Sequence, residues 1–152
     1  MSIFHAIDTN ASALTAQRLR MDVVSSNITN AQTTRAVMNE DGEYEPYRRK
    51  MVTLEPSGRN FQTFLDRAVQ TNSDKAGSGV KVSRITEDET PFKVVYNPDH
   101  PDADEDGYVE MPNVDPLREM VDLMSATRSY EANITSLNAS KNMLMKALEI
   151  GK

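Results

Sequence analysis

An acidic run is the part of this sequence that most suggests chemistry. Residues 102–107 read Asp-Ala-Asp-Glu-Asp-Gly, which matches the first half of a calcium-binding EF-hand loop. The twelfth position of such a loop carries a bidentate Glu, but Asn113 stands there in this chain. Pro98 and Pro101 also prevent an entering helix. A solvated acidic turn is therefore favoured, and no metal ligand is predicted.

No other group of residues predicts catalysis. Glu87, Asp88 and Glu89 could do acid–base work only in a desolvated cleft, and nothing apolar surrounds them in the sequence. His5 and His100 have no motif linking them to a nucleophile, and no phosphate-binding glycine loop occurs. We expect no enzyme, no catalytic residue and no cofactor. A calcium-dependent or carboxylate-based hydrolase centred on residues 102–106 remains an alternative, which calcium calorimetry would test.

Composition restricts the partners and leaves the compartment open. The net charge is −6, there is no cysteine, and the basic residues are scattered apart from residues 48–50, which we interpret as a solvated strand edge. Neither nucleic acid nor a small-molecule substrate is expected as a partner. No apolar run approaches the roughly 20 residues needed to span a bilayer. Residues 1–8 lack a charged region and a long apolar stretch, so a cleaved signal peptide is not expected.

The predicted secondary-structure elements follow the order helix, β region, helix. This order indicates the α+β fold class. We expect an N-terminal axial helix within 1–34, a β-containing middle region with extended loops at 35–112, and a C-terminal axial helix within 113–152. Asp115 is suited to the N-cap of the last helix, Pro116 to its first turn and Gly151 to its end.

Both terminal segments show apolar residues at alternating spacings of three and four, which is typical of a coiled-coil-like seam. In the first segment Asn27 and Asn30 are expected near the end of the helix, where Asn serves as a cap. The predicted seam, which we interpret as an assembly interface, comprises Phe4, Ile7, Ala11, Leu14, Met21, Ile28, Met120, Leu123, Tyr130, Ile134, Leu137, Leu144 and Leu148. An ordinary two-helix hairpin that closes one core is the alternative.

The middle region predicts short strands. Residues 47–54 form one candidate, 80–85 and 92–96 a predicted hairpin, and 107–111 a further strand. Residues 70–79 are rich in Gly, Ser, Asn and Asp and predict a flexible linker or exposed loop.

Energetics favour several neighbours over one. Burying seven large apolar side chains of the last helix yields on the order of 10–20 kcal/mol, whereas one association step costs about 4–15 kcal/mol. We expect the terminal helices to become fully ordered only in an assembly. A generic coiled-coil adaptor with a small β insert, which would form a discrete dimer or tetramer, is the alternative.

Seven segments form one combined pattern, at residues 12–17, 26–34, 46–50, 79–82, 96–109, 111–114 and 119–133. Together they make the chain resemble the bacterial flagellar rod and hook axial proteins, and among them the proximal rod proteins most closely. The similarity covers nearly the whole chain. Thr29 stands where the family signature usually has Ala, and Arg35 where hook-type members have Gly and an aromatic residue. The family signature at 26–34 contains Asn27, Asn30, Thr33 and Thr34.

The resemblance implies a structural subunit of the proximal rod, whose terminal helices assemble around a central channel. The rod would serve as drive shaft and export channel. The implied partners are other proximal and distal rod proteins, the adaptor between rod and membrane ring, and copies of the chain itself. The implied location is the flagellar basal body, reached by type III export without cleavage of a signal peptide.

Overall fold

The fold is α+β, as predicted, with one long helix near each end and short strands between them. The computed structural model describes residues 3–39, 42–57 and 79–150, so residues 70–78 of the predicted linker lie outside it. The elements in chain order are α1 (Ile3–Thr29), β1 (Val37–Met38), β2 (Tyr44–Glu45), β3 (Lys50–Pro56), β4 (Val80–Glu87), β5 (Lys93–Tyr96), β6 (Tyr108–Met111) and α2 (Pro116–Ile150).

Helix α2 begins as the sequence predicts. Asp115 is its N-cap, because its Oδ1 accepts a hydrogen bond from the N–H of Leu117 at 3.1 Å. Pro116 follows as the first helical residue, where its missing N–H costs nothing. With 35 residues, the helix is roughly 50 Å long at 1.5 Å per residue. Among the described residues, no helix is both long and apolar enough to cross a membrane.

The two Asn residues predicted near the end of α1 lie in different surroundings. The helix ends at Thr29, and the side-chain Nδ2 of Asn30 donates to the carbonyl of Ser26 at 2.9 Å. The same carbonyl also accepts the backbone N–H of Asn30 at 3.0 Å, so the side chain adds a second hydrogen bond to it at the helix end. Asn27, by contrast, lies within the helix and is fully buried.

The strands form three separate two-stranded sheets, β1 with β2, β3 with β4, and β5 with β6. The strands at 80–85 and 92–96 are confirmed, but the predicted hairpin between them is wrong. Alternation of side chains predicts a strand without specifying its partner. Strand β5 instead pairs antiparallel with β6, with Val95 opposite Val109, and the loop between them is closed by the Asn97 N–H, which donates to the carbonyl of Gly107 at 2.9 Å.

Contacts divide the chain into two compact units. The first comprises Met1–Arg20, Thr53–Arg84 and Ser125–Lys152, and the second Met21–Val52 and Ile85–Met124. Each unit therefore receives part of α1 and part of α2. The boundaries at 34 and 112, expected from composition, stay a prediction.

The first unit buries a small side chain in each of its two helical segments. Ala16 is 3% exposed and Ala126 is fully buried. Nearby, the Asn10 Nδ2 donates to the Ser136 Oγ at 3.3 Å. Because the distance between packed helices depends on the side chains at their contact, small residues permit a close approach.

Strand β4 begins against α1 in this unit. The Val80 N–H donates to the Ser12 Oγ at 3.0 Å. A Cβ at Gly79 would lie 3.0 Å from the Ser12 Cβ and closer still to its hydroxyl. Glycine is therefore needed for this contact between strand and helix.

Candidate assembly site

Asn27 is the centre of a buried polar network in the second unit. Its Nδ2 donates to the carbonyl of Lys50 and to the Glu119 Oε2, each at 2.9 Å. Its Oδ1 accepts from the Lys50 N–H at 2.9 Å and from the Tyr47 hydroxyl at 3.1 Å. An amide offers two donors and two acceptor lone pairs, so this buried side chain is fully satisfied. It joins α1 to the start of β3 and to the first turn of α2.

Arg49 is the cation of this network. Its Nε donates to the Glu119 Oε1 at 2.6 Å, and its terminal nitrogens lie 3.4 Å from the Asp88 Oδ2 and 3.6 Å from the Asp122 Oδ2. The Arg49 side chain is 13% exposed and that of Glu119 is 0% exposed. A buried carboxylate needs such a partner, because an unpaired charge in the interior costs several kcal/mol.

The basic run at 48–50 is therefore not a solvated strand edge throughout, and this expectation is wrong for Arg49. The expectation of a solvated edge holds in part for the two neighbours of Arg49, because Lys50 is exposed and Arg48 is half-buried. The Arg48 guanidinium lies 4.4 Å from the centroid of the Phe92 ring. Three cations in sequence do not reveal which one turns inward, because the carboxylates that attract Arg49 are distant in the chain.

The pKa values in this network follow from its contacts. Burial, the largest single influence, lowers the pKa of Arg49, but the hydrogen bonds and charges of Glu119 and Asp88 outweigh it and leave the pKa raised. The pKa of Asp88 is lowered, first by the hydrogen bond from the Thr90 N–H and then by Arg49. Both groups are held in their charged forms.

Asn113 is a second polar junction of this unit. Its Oδ1 accepts from the Arg49 N–H at 2.8 Å, and its Nδ2 donates to the carbonyls of Asp88 and Thr90 at 3.0 Å. Asn113 also stands where the twelfth residue of an EF-hand loop beginning at Asp102 would carry a Glu. Its side chain holds the segment before α2 against β3 and the residues after β4.

The other signature residues continue this arrangement beyond α1. The Thr33 hydroxyl donates to the Asn30 Oδ1 at 3.3 Å, and the Thr33 carbonyl accepts from the Tyr47 N–H at 3.0 Å. The Thr34 hydroxyl donates to the Asp102 Oδ2 at 2.7 Å. All four signature residues thus make hydrogen bonds within the second unit.

The carboxylate of Asp102 accepts hydrogen bonds from side chains of the same chain. Besides Thr34, it accepts from the Arg35 Nε at 2.6 Å. Arg35 and Thr34 lower the pKa of Asp102, and the hydrogen bond to Asp102 raises the pKa of Arg35. In the described ranges, no three His, Cys, Asp or Glu residues lie together as metal ligands would.

The predicted seam residues differ widely in burial. Phe4 lies outside the described side chains. Among the rest, Ala11, Met120, Ile134 and Leu148 are exposed. The half-buried members are Ile7, Leu14, Met21, Ile28, Leu123, Tyr130, Leu137 and Leu144.

The fully buried positions of α2 lie beside the predicted seam. Glu119 and Ala126 are fully buried and are spaced by one heptad, and Ser140 is 6% exposed. Sequence reasoning missed this row because it gave weight to large apolar residues, whereas these are small or charged. Their spacing was the available signal.

Large apolar side chains on the first turns of α2 are exposed. Leu117 is 75% exposed, Val121 60% and Met124 55%. They follow the i, i+4, i+7 spacing of one helix face. We call these three residues the exposed face of α2.

Comparison with known proteins gives the class of this chain. Residues 7–36 match the model described as flagella basal body rod protein, and residues 105–150 match that of the C-terminal region of flagellar basal body rod FlgEFG proteins. Both matched stretches contain the helical segments that build the buried network. The chain is thus of the flagellar rod class.

Full-length relatives narrow this class. The chain is 60% identical to the flagellar basal-body rod protein FlgC of Bacillus subtilis over 152 residues, covering 100% of both. It is 42% identical to FlgC of Borreliella burgdorferi, with 99% of this chain and 98% of the relative covered. Identity to FlgC of Salmonella typhimurium is 41%, with both fully covered. The chain belongs to the FlgC family of flagellar basal-body rod proteins and is a structural rod subunit rather than a generic adaptor.

Proposed function

We propose that this chain enters the rod through its two terminal helices, which bind neighbouring subunits. The observation that carries this proposal is the exposed face of α2, where Leu117, Val121 and Met124 are all more than half exposed. Contiguous apolar surface of this kind is typical of interaction sites. The half-buried seam residues, such as Leu123, Tyr130 and Leu137, lie where a neighbouring helix would complete their burial.

The energetics support more than one neighbour. Full burial of a large apolar side chain contributes about 1.5–3 kcal/mol relative to full exposure. The three residues of the exposed face, being already partly covered, would contribute roughly 3–6 kcal/mol. One association step costs about 4–15 kcal/mol, so this face alone gives weak pairing. A lattice in which several faces are covered at once is favoured.

The partners we propose are the other proximal and distal rod proteins, the adaptor between rod and membrane ring, and further copies of this chain. In such a rod the chain transmits torque and forms part of the wall of an export channel. Export of the chain by the flagellar type III apparatus belongs to the same proposal. An export-deficient host would then retain the chain in the cytoplasm.

Val121→Asp tests the role of the exposed face. The host gene is deleted and replaced by this variant or by Val121→Ile, and swimming and the purified basal bodies are then examined. A carboxylate in a buried contact is strongly unfavourable, so Val121→Asp should abolish rods and swimming. Val121→Ile keeps the apolar contact and should preserve both.

Circular dichroism separates assembly from folding in this test. Because Val121 is 60% exposed, Val121→Asp should leave the helical signal of the isolated chain unchanged. Normal rods in the Val121→Asp strain would refute the assignment of this face to assembly.

A further inference from the structure

A shallow cleft lies within the second unit, away from the buried polar network. Its volume is about 680 Å³. The segment that follows α1, strand β2 and the β5–β6 sheet contribute its walls, among them Arg35, Tyr44, Val94 and Tyr108. The volume falls in the range of sites that take small ligands or side chains of a partner.

The cleft is both apolar and acidic. Tyr44 is 55% exposed, Tyr108 49% and Val94 62%, so its walls offer aromatic and aliphatic surface. Glu43 and Glu110 also line it, beside Asp102 and Asp104.

Arg35, the one cation among the described residues that line this cleft, does not neutralise all of these carboxylates. Arg35 forms an ion pair with Asp102. Glu43, Asp104 and Glu110 have no salt-bridge partner within the described parts of the chain. A Lys or Arg from another molecule would relieve their repulsion, and its alkyl stem would lie on the Tyr rings.

We propose that the cleft binds strand β4 of a second copy of this chain. Residues 79–86 read Gly-Val-Lys-Val-Ser-Arg-Ile-Thr and contain no carboxylate. Lys81 and Arg84 are both exposed, and Ile85 is 46% exposed. Side chains alternate between the two faces of a strand, so Lys81 and Ile85 lie on the same face of β4 as Ser83 and offer the cleft a cation and an apolar side chain. Arg84 lies on the opposite face and adds to the positive charge of the strand.

The contact joins two different surfaces of identical chains. Such a heterologous contact repeats from copy to copy and does not close into a two-fold dimer. This inference rests on the proposed assembly function and assigns one contact between copies within it. It is independent of the exposed face of α2, so the two can fail separately.

Engineered cysteines test the contact, since the natural chain has no cysteine. A Val94→Cys variant, with its thiol in the cleft, is mixed at high concentration and low salt with a Ser83→Cys variant, whose thiol lies on β4. Mild oxidation should give a cross-linked heterodimer in severalfold excess over either homodimer. A mixture of Val94→Cys with Asn138→Cys, which places the thiol on an exposed position of α2, is the matched control and should give only background.

Charge reversal makes the test specific. Adding Glu43→Lys and Glu110→Lys to the cleft variant should reduce the cross-link to the control level. Adding Lys81→Glu and Arg84→Glu to the strand variant should restore it. Recovery of the cross-link in the doubly reversed pair supports the contact.

Two outcomes would overturn the proposal. One is a cross-link no stronger than the control, and the other is a cross-link that persists in the singly reversed pair. If the cross-link is absent while Val121→Asp still abolishes rods, the assembly function stands and the cleft contact is wrong. Normal rods with Val121→Asp would instead count against the proposed function.

Discussion

At the scale of single residues, the choice of Asn at position 27 follows from the number of groups it must satisfy. Two donors and two acceptor sites are needed at one buried point, and the four hydrogen bonds of Asn27 use all of them. An Asp there would place a second carboxylate against Glu119. A Leu would leave the backbone groups of Lys50 without partners, at a cost of roughly 1–3 kcal/mol for each buried group.

Arg49→Ala should be strongly destabilising. It leaves the fully buried Glu119 without its cation, and breaking a buried pair in this way costs about 3–5 kcal/mol. Urea unfolding followed by circular dichroism measures the change. Arg48→Ala is the matched control, because the half-buried Arg48 contributes chiefly a cation–π contact worth about 1 kcal/mol. Equal losses for the two variants would contradict the assignment of the buried charge.

Acid should destabilise the fold through Asp88 and Asp102, whose pKa values are both lowered by hydrogen bonds and nearby cations. Their contribution is complete above the ordinary Asp pKa of about 3.9. It is lost as the pH falls through the lower pKa of the folded state, because the unfolded chain then binds protons first. Urea unfolding from pH 7 to pH 2.5 measures this loss.

Asp102→Asn is the control for the acid effect. This variant should be less stable at pH 7 and should lose less stability on acidification. If the free energy of unfolding of Asp102→Asn fell with pH as steeply as that of the natural chain, Asp102 would not contribute to the acid effect.

The residues that sequence reasoning found and missed differ in the range of their contacts. The N-cap of α2 was predictable, because Asp115 bonds a backbone group two residues away. The signature containing Asn27 was recognised, but its place in a buried network was not. The ion pair between Arg49 and Glu119 spans 70 positions, and no local pattern encodes such a distance.

At the scale of elements, strand existence was predictable and strand pairing was not. Strand β5 reads Lys-Val-Val-Tyr and could pair with any neighbouring strand on propensity alone. Its pairing with β6 depends on the loop that joins them, which includes the Pro, Asp and Gly residues of 97–107. The edge-to-face contact of Tyr96 and Tyr108, with ring centroids 5.3 Å apart, stabilises the end of this pair next to the loop.

Gly107→Ala should destabilise the β5–β6 sheet. Gly107 has φ +79°, and a Cβ there would lie 3.0 Å from the Tyr96 ring and 3.3 Å from the Pro98 Cβ. The left-handed conformation costs a non-glycine residue roughly 1–2 kcal/mol, and the crowding adds to it. We expect a total loss of about 2–3 kcal/mol in thermal unfolding.

Gly42→Ala is the control that separates backbone strain from crowding. Gly42 has φ +84°, but its Cβ would meet nothing within 4 Å. Its substitution should cost only the strain of roughly 1–2 kcal/mol. Equal effects of the two substitutions would show that the Tyr96 and Pro98 contacts do not matter.

At the scale of the whole molecule, burial along α2 is uneven. Glu119 and Ala126 are fully buried, whereas Leu148 is 72% exposed and Ile150 86%. Local stability falls where few buried contacts hold a segment. The composition of the chain, lean in large apolar residues, predicts such dependence on neighbours, although it does not locate the exposed turns.

Hydrogen exchange of the isolated chain should follow this gradient. Amides at 119–126 should exchange at least tenfold more slowly than amides at 143–150, because the former segment contains the fully buried Glu119 and Ala126, whereas Leu148 and Ile150 in the latter are largely exposed. Mass spectrometry of short proteolytic fragments resolves the two segments, and assembled rods provide the comparison in which the end of α2 should gain protection. Uniform protection along α2 in the monomer would contradict the expectation that assembly orders this helix.

The hydrogen bond from Asn27 to Glu119 has a consequence for folding kinetics, since its two residues are 92 positions apart in the chain. Contacts between such distant residues form slowly, because closing the long loop between them costs conformational entropy before the contact stabilises the fold. A nascent chain that ends before position 119 would hold Asn27, Tyr47 and Arg49 without their buried carboxylate. The network therefore closes only once the first turn of α2 is present.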